Sequence, residues 1–220
     1  PLLPMHSPCP DGAPVHTCPD ALFKGVVNIT ATPGADSTNV EYVRVMDWDV
    51  PPTEFSEYVT IKGTETTTLL EKSHLDGFAT ANPLNTTCDA TGCGYGGVDV
   101  DLTDEGTADH GAYFRFNFGT LLGVDDPTTE EDETSYTFTI FYGAAPSERT
   151  ALTAIAAEGI ELYSLGQQAG DPTGGTPATF IFGFSGVGGT PVITVPEPAS
   201  LALLGLGLAG LGAMRRRKQA

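Results

Sequence analysis

The sequence predicts an antiparallel β-sandwich with one short α-helix, followed by a C-terminal hydrophobic helix. Three observations lead there. Apolar and polar residues alternate with period two in several short runs, as strands with two different faces require. Aromatic side chains fill the apolar positions of the strongest runs: Phe114, Phe116 and Phe118, then Tyr136, Phe138 and Tyr142, then Phe180, Phe182 and Phe184. Gly- or Pro-containing turns separate these runs, and only one stretch carries helical spacing.

Residues 1–25 contain Pro, His and Cys without periodicity and are expected as a loop. The sandwich is expected over 26–190. Val26-Val27-Asn28-Ile29 is its first apolar run, ended by the turn residues Thr32-Pro33-Gly34-Ala35-Asp36. Val40, Tyr42, Met46, Trp48 and Val50 share one parity of the next strand, interrupted by Arg44, and Pro51-Pro52 stops it. Phe55, Glu57, Val59 and Ile61 alternate with Ser56, Tyr58, Thr60 and Lys62 before Gly63. The runs through Phe114–Phe118 and Tyr136–Tyr142 end at Gly119 and Gly143. Ser147 is a good N-cap with Glu148 in the first turn, and Ala151, Leu152, Ile155 and Ala156 recur at helical spacing until Gly159. A return strand follows over Ile160 to Leu165, and Thr179 to Phe184 forms the last strand. Gly170 to Pro177 reads as a polar loop. Gly186 to Gly189 opens a linker that runs over 191–195 to the terminal segment 196–220.

That terminal segment has three parts. Pro196-Glu197-Pro198 blocks helix from reaching back into the domain, since proline lacks an N–H and pushes its predecessor to an extended conformation. Leu201 to Met214 is apolar and Gly-rich. As a helix it would cover roughly 21 Å at about 1.5 Å per residue, short of a hydrocarbon core near ~30 Å. Arg215, Arg216, Arg217 and Lys218 then hold its end on the cytoplasmic side. In type, order and position these residues resemble the PEP-CTERM sorting signal of Gram-negative bacteria. The resemblance implies export, brief residence in the inner membrane through the C-terminal helix, and cleavage near Pro-Glu-Pro by an exosortase-type membrane protease. It further implies delivery to the cell surface or the exopolysaccharide matrix. Pro1-Leu2-Leu3-Pro4-Met5 carries no signal-peptide pattern, so the chain is expected to be a fragment or a processed precursor. The body also resembles uncharacterised β-rich domains found ahead of such tails, through Arg44–Val50, Asp109-His110-Gly111-Ala112, Tyr142-Gly143-Ala144-Ala145 and Phe182-Gly183-Phe184. That likeness carries no activity.

Charge narrows the partners. The chain has 28 acidic and 10 basic residues, a net charge of −18. Four of the bases lie in the tail, which leaves 27 acids against six bases in the rest. Such a body repels nucleic acid, whose binding needs Lys and Arg to displace counterions. Four cysteines form two local pairs, Cys9 with Cys18 and Cys88 with Cys93, each bracketing a Gly-containing turn. In an exported chain this pattern favours disulfides, and the Cys9–Cys18 gap exceeds usual zinc-ligand spacing.

Asp99, Asp101, Asp104 and Asp109 crowd one stretch beside Gly96-Gly97 and Gly106. Oxygen-rich, Gly-containing loops are what Ca²⁺ needs, but the spacing departs from an EF-hand, and a solvated acidic loop is the competing reading. The run Asp125-Asp126 and Glu130-Glu131-Asp132-Glu133 reads as a solvated strand connection. Asp47 and Asp49 flank Trp48 and should face away from a core that Trp48 enters. There is no Gly-x-Ser-x-Gly elbow, phosphate loop or zinc-protease motif. The expected function is therefore a non-catalytic surface or matrix protein. A Ca²⁺- or polysaccharide-binding module is the alternative, and a polysaccharide hydrolase a third.

Overall fold

The computed structural model describes residues 3–4, 21–78, 82–83, 101–123, 135–169 and 178–191. Cys9, Cys18, Cys88, Cys93, Asp99, the 125–133 acidic run and the whole tail lie outside them.

Ten strands and one helix follow in order: β1 (Leu3–Pro4), β2 (Ala21–Thr30), β3 (Glu41–Asp47), β4 (Glu57–Lys62), β5 (Leu70–His74), β6 (Leu102–Ala108), β7 (Gly111–Asn117), β8 (Ser135–Ala145), α1 (Glu148–Ala157), β9 (Leu162–Gln167) and β10 (Thr179–Ser185). They form a seven-stranded sheet, β1-β2-β8-β10-β9-β4-β6, and a three-stranded sheet, β3-β7-β5. Every pairing is antiparallel. The expected sandwich is present.

Its core is aromatic because the alternating runs place their rings on the facing sides of the two sheets. Phe114 and Phe116 of β7 meet Phe184 of β10 edge-on, with centroids 5.5 and 4.7 Å apart. Tyr42 of β3 meets Phe138 of β8 at 4.9 Å. Edge-to-face geometry puts the positive rim of one ring on the negative face of the other. Trp48 is buried as expected, donates its indole N–H to Ser164 Oγ at 3.2 Å, and lies flat against Gly166. A Cβ on Gly166 would come within 2.5 Å of the indole, so β9 needs glycine there. Asp47 and Asp49 are exposed.

Helix α1 packs on the far face of the large sheet. Ala151, Ala154 and Ile155 join Phe141, Tyr163, Leu165 and Ile181 in a second apolar cluster. Ser147 caps the helix, accepting from Thr150 N–H at 3.3 Å. At the other end Gly159 takes φ +63°, and the N–H of Ile160 bonds back to Ile155 O at 3.1 Å, a Schellman closure.

Several boundaries differ from expectation. β2 begins at Ala21 rather than Val26, and Leu3–Pro4 pairs with it inside the segment expected as loop. Strands β5 and β6 were not expected; the stretch around Asp101 to Asp109 is a strand rather than a loop. The Gly186–Gly189 stretch is strapped to the domain instead of opening a linker. Glu161 accepts from the N–H groups of Gly186, Val187 and Gly189, each at 2.9 Å, and Val187 is fully buried.

Candidate functional site

The large sheet is wider than the small one, and its two flanks carry the features that could meet a partner. On the β6 flank a polar cleft of about 540 Å³ opens between β4, β6, β9 and the start of α1. Tyr58, Asp104, Ser147, Glu148, Arg149, Gln167 and Gln168 line it. β6 reaches this place as an edge strand with two register shifts against β4, and Asp104 sits in the left-handed region at φ +47°. A closed ring of hydrogen bonds fixes it. Gln167 Nε2 donates to Asp104 Oδ1 (3.1 Å), Thr60 Oγ1 donates to Gln167 Oε1 (3.0 Å), and Asp104 N–H donates to Thr60 Oγ1 (3.1 Å).

The structure does not gather the other aspartates around Asp104. Asp101 accepts from the N–H and hydroxyl of Thr64 at 3.0 and 2.8 Å, tying the start of β6 to the turn after β4. Asp109 lies past the far end of the strand, five residues on from Asp104 and roughly 16 Å along at ~3.3 Å per residue. There partial desolvation first, then Asp49, Asp109 and Asp76, raise the carboxyl of the largely exposed Asp47 above its ordinary value. Among the described residues no group of three or more His, Cys, Asp or Glu side chains could hold a metal. The adjacent His110 is buried and directs Nε2 at Gly106 O, 2.7 Å away, so that nitrogen carries the proton and donates.

What the acidic flank does have is carboxylates that act on one another and on a buried phenol. Burial and then Asp104 raise the Glu148 carboxyl above its usual value. Burial, then Glu148 and Asp101, push the Tyr163 phenol up to about 12, so it stays neutral at any physiological pH. Beneath β6, Glu57 is 0 % exposed, with Oε1 accepting from Val50 N–H at 3.2 Å and Oε2 buried without a partner. Desolvation holds this carboxyl above its ordinary value. Neither Tyr58 nor the glutamines stood out in the sequence, because the cleft assembles from four separate elements.

The opposite flank is apolar. Strand β3 is the edge of the small sheet, and its Arg44 reaches over Tyr142 of β8 and Phe182 of β10. Phe23, Gly25, Val26, Val27 and Ile140 join Arg44 and Tyr142 around a cleft of about 590 Å³. Phe23 and Val26 are 47 % and 60 % exposed.

Beyond the folded body, the terminal segment carries a recognisable signal. Residues 194–218 match the PEP-CTERM protein-sorting motif, a span that includes Pro196, Glu197, Pro198 and the Arg215–Lys218 cluster. The chain therefore carries the signal of an exported, exosortase-targeted protein directed toward the cell surface. No curated protein and no solved structure matches the chain. No helix among the described residues is long and apolar enough to cross a membrane.

Proposed function

We propose that this is a non-catalytic surface or extracellular-matrix protein, held in the inner membrane by its tail only until an exosortase-type protease cuts near Pro196-Glu197-Pro198. The sorting motif at 194–218 carries this reading. Supporting it, Leu201–Met214 is short for a bilayer and diluted by four glycines, as suits a temporary anchor. The intact mass of the surface form, from hosts with and without exosortase, tests it. Loss of Leu201–Ala220 only where the protease is present is the expected result. A surface form that keeps those residues overturns cleavage and leaves a plain anchor.

One observation favours a second reading, a polysaccharide-binding module: the polar cleft on the β6 flank. Tyr58 offers a ring face, and Gln167, Gln168, Arg149 and Glu148 offer donors and acceptors around an open trough. Sugars are recognised by such mixtures of flat apolar and directional polar groups. Asp104 and Glu148 share the trough, yet the Asp104 oxygen is engaged by Gln167, which fits binding better than hydrolysis. Retention on matrix polysaccharide, lost in Tyr58→Ala and Gln167→Ala, supports this reading; equal retention removes it. Calcium at millimolar concentration tests the remaining alternative: a raised melting temperature supports a Ca²⁺ site in the Asp99–Asp109 stretch, and an unchanged melt removes it.

A further inference from the structure

The apolar flank carries an inference of its own. Arg44 occupies an inward position of β3, where Tyr42 and Met46 on either side pack into the core. Its guanidinium carbon lies 5.2 Å from the Tyr142 ring centre and 5.8 Å from that of Phe182. Rings in this position stabilise a cation but do not neutralise it. Arg44 Nε is buried and makes no hydrogen bond, and the polar groups beside the guanidinium are two neutral phenols, Tyr142, which is hydrogen-bonded to it, and Tyr42. Arg115, by contrast, is ion-paired with both Glu41 and Glu71. What sets Arg44 apart from the exposed bases is that it lies against two rings with its Nε buried and without a hydrogen bond. It stands where the small sheet ends and β2 overhangs, at the head of a cleft otherwise lined by Val27 and Ile140, with the exposed Phe23 on its rim.

We propose that this cleft binds a small amphiphilic carboxylate, with its apolar body on Phe23, Val27 and Ile140 and its carboxylate on the Arg44 guanidinium. Each part of the ligand answers one feature of the cleft. A neutral apolar molecule would cover the groove and leave the guanidinium without a counterion. An inorganic anion would satisfy the guanidinium and leave the groove in water. The planar fork of arginine matches a carboxylate with two parallel hydrogen bonds. The net charge of −18 works against multiply charged ligands and so favours a monoanion. At about 590 Å³ the cleft has the size of ordinary small-molecule sites.

The test is calorimetric titration of the full chain with three probes that share one apolar body: 2-naphthoate, 2-naphthylmethanol and 2-naphthylmethylamine. Saturable binding of the acid, about tenfold or more tighter than the alcohol, is expected from a charge-assisted pair. Arg44→Gln should bind acid and alcohol alike. Because an inward substitution can disturb folding, Phe23→Asp provides a second arm on an exposed rim residue. It should lose the acid and gain the amine. Acid and alcohol binding equally to the natural chain, no saturable acid binding, or acid binding unchanged in a folded Arg44→Gln or Phe23→Asp protein would each overturn the proposal.

Discussion

The two flanks of the seven-stranded sheet solve the same problem in opposite ways. A flank exposes backbone N–H and C=O groups, or sheet face, that invite another chain. On one side β6 meets this with Asp104 and Glu105, two register shifts and a left-handed residue, all of which make a poor template for pairing. On the other side β2 presents Phe23 and Val26 to solvent, beside a cleft headed by Arg44. Charge marks the flank whose edge resists another strand; exposed apolar surface beside Arg44 marks the other. The lesson is that an acidic run is not evidence of a cation site until its residues are seen to converge.

The harshest way to break the comparison is to remove what the flanks share. Phe184→Ala should cost about 3–5 kcal/mol, because the ring touches both sheets and leaves a cavity between them. Chemical denaturation with hydrogen exchange on β2 and β6 checks whether both flanks open together; separate transitions would mean they are independent units. Next in size, Glu57→Gln acts on the acidic flank alone and should stabilise by at most about 1 kcal/mol at neutral pH, since it removes a buried charge and keeps an acceptor for Val50 but sets its amide N–H groups near the backbone N–H groups of Glu57, Phe55 and His110. The sign follows from linkage. The folded form holds the Glu57 proton more tightly than the unfolded chain, so this residue's contribution falls as pH rises above its ordinary value of 4.5. Melts of the variant and the natural chain should converge below that value and separate above it. Asp104→Val with Glu105→Val should make the acidic flank resemble the apolar one, and concentration-dependent association by sedimentation velocity is expected. A double variant that stays monomeric would deny β6 its guarding role. Smallest of all, Phe23→Ser should change stability by no more than about 0.5 kcal/mol, as an exposed position allows. A larger loss in a thermal melt would show that Phe23 is structural.

Much of this fold was legible in the sequence, and the failures share a cause. β7, β8 and β10 were read from aromatic alternation, and α1 from Ser147 to Gly159, because each packs a regular face against a partner. β5 and β6 were missed. Both are edge strands, both carry a register shift, and neither needs an apolar face along its full length. Leu70-Glu71-Lys72-Ser73-His74 shows no period two for that reason. Arg44 was visible as an interruption in an inward series, but only the overhang of β2 gives the interruption a meaning. The polar cleft was invisible because Tyr58, Asp104, Glu148 and Gln167 come from β4, β6, α1 and β9. The sorting signal was fully legible, since a protease reads it as contiguous chain rather than as a folded surface.

The Glu161 clamp has a mechanical consequence. It pins the chain at Gly186, Val187 and Gly189, directly after β10, which lies inside the large sheet rather than at its rim. Any pull from the tail is therefore delivered into a strand bonded on both sides, and the clamp must yield before the strand feels it. Between Pro191 and Pro196 only five peptide steps remain, at most roughly 18 Å when fully extended. That short leash keeps the folded body within a molecular diameter of the sorting motif, so whatever recognises the motif must also accommodate the bulk and charge of the body.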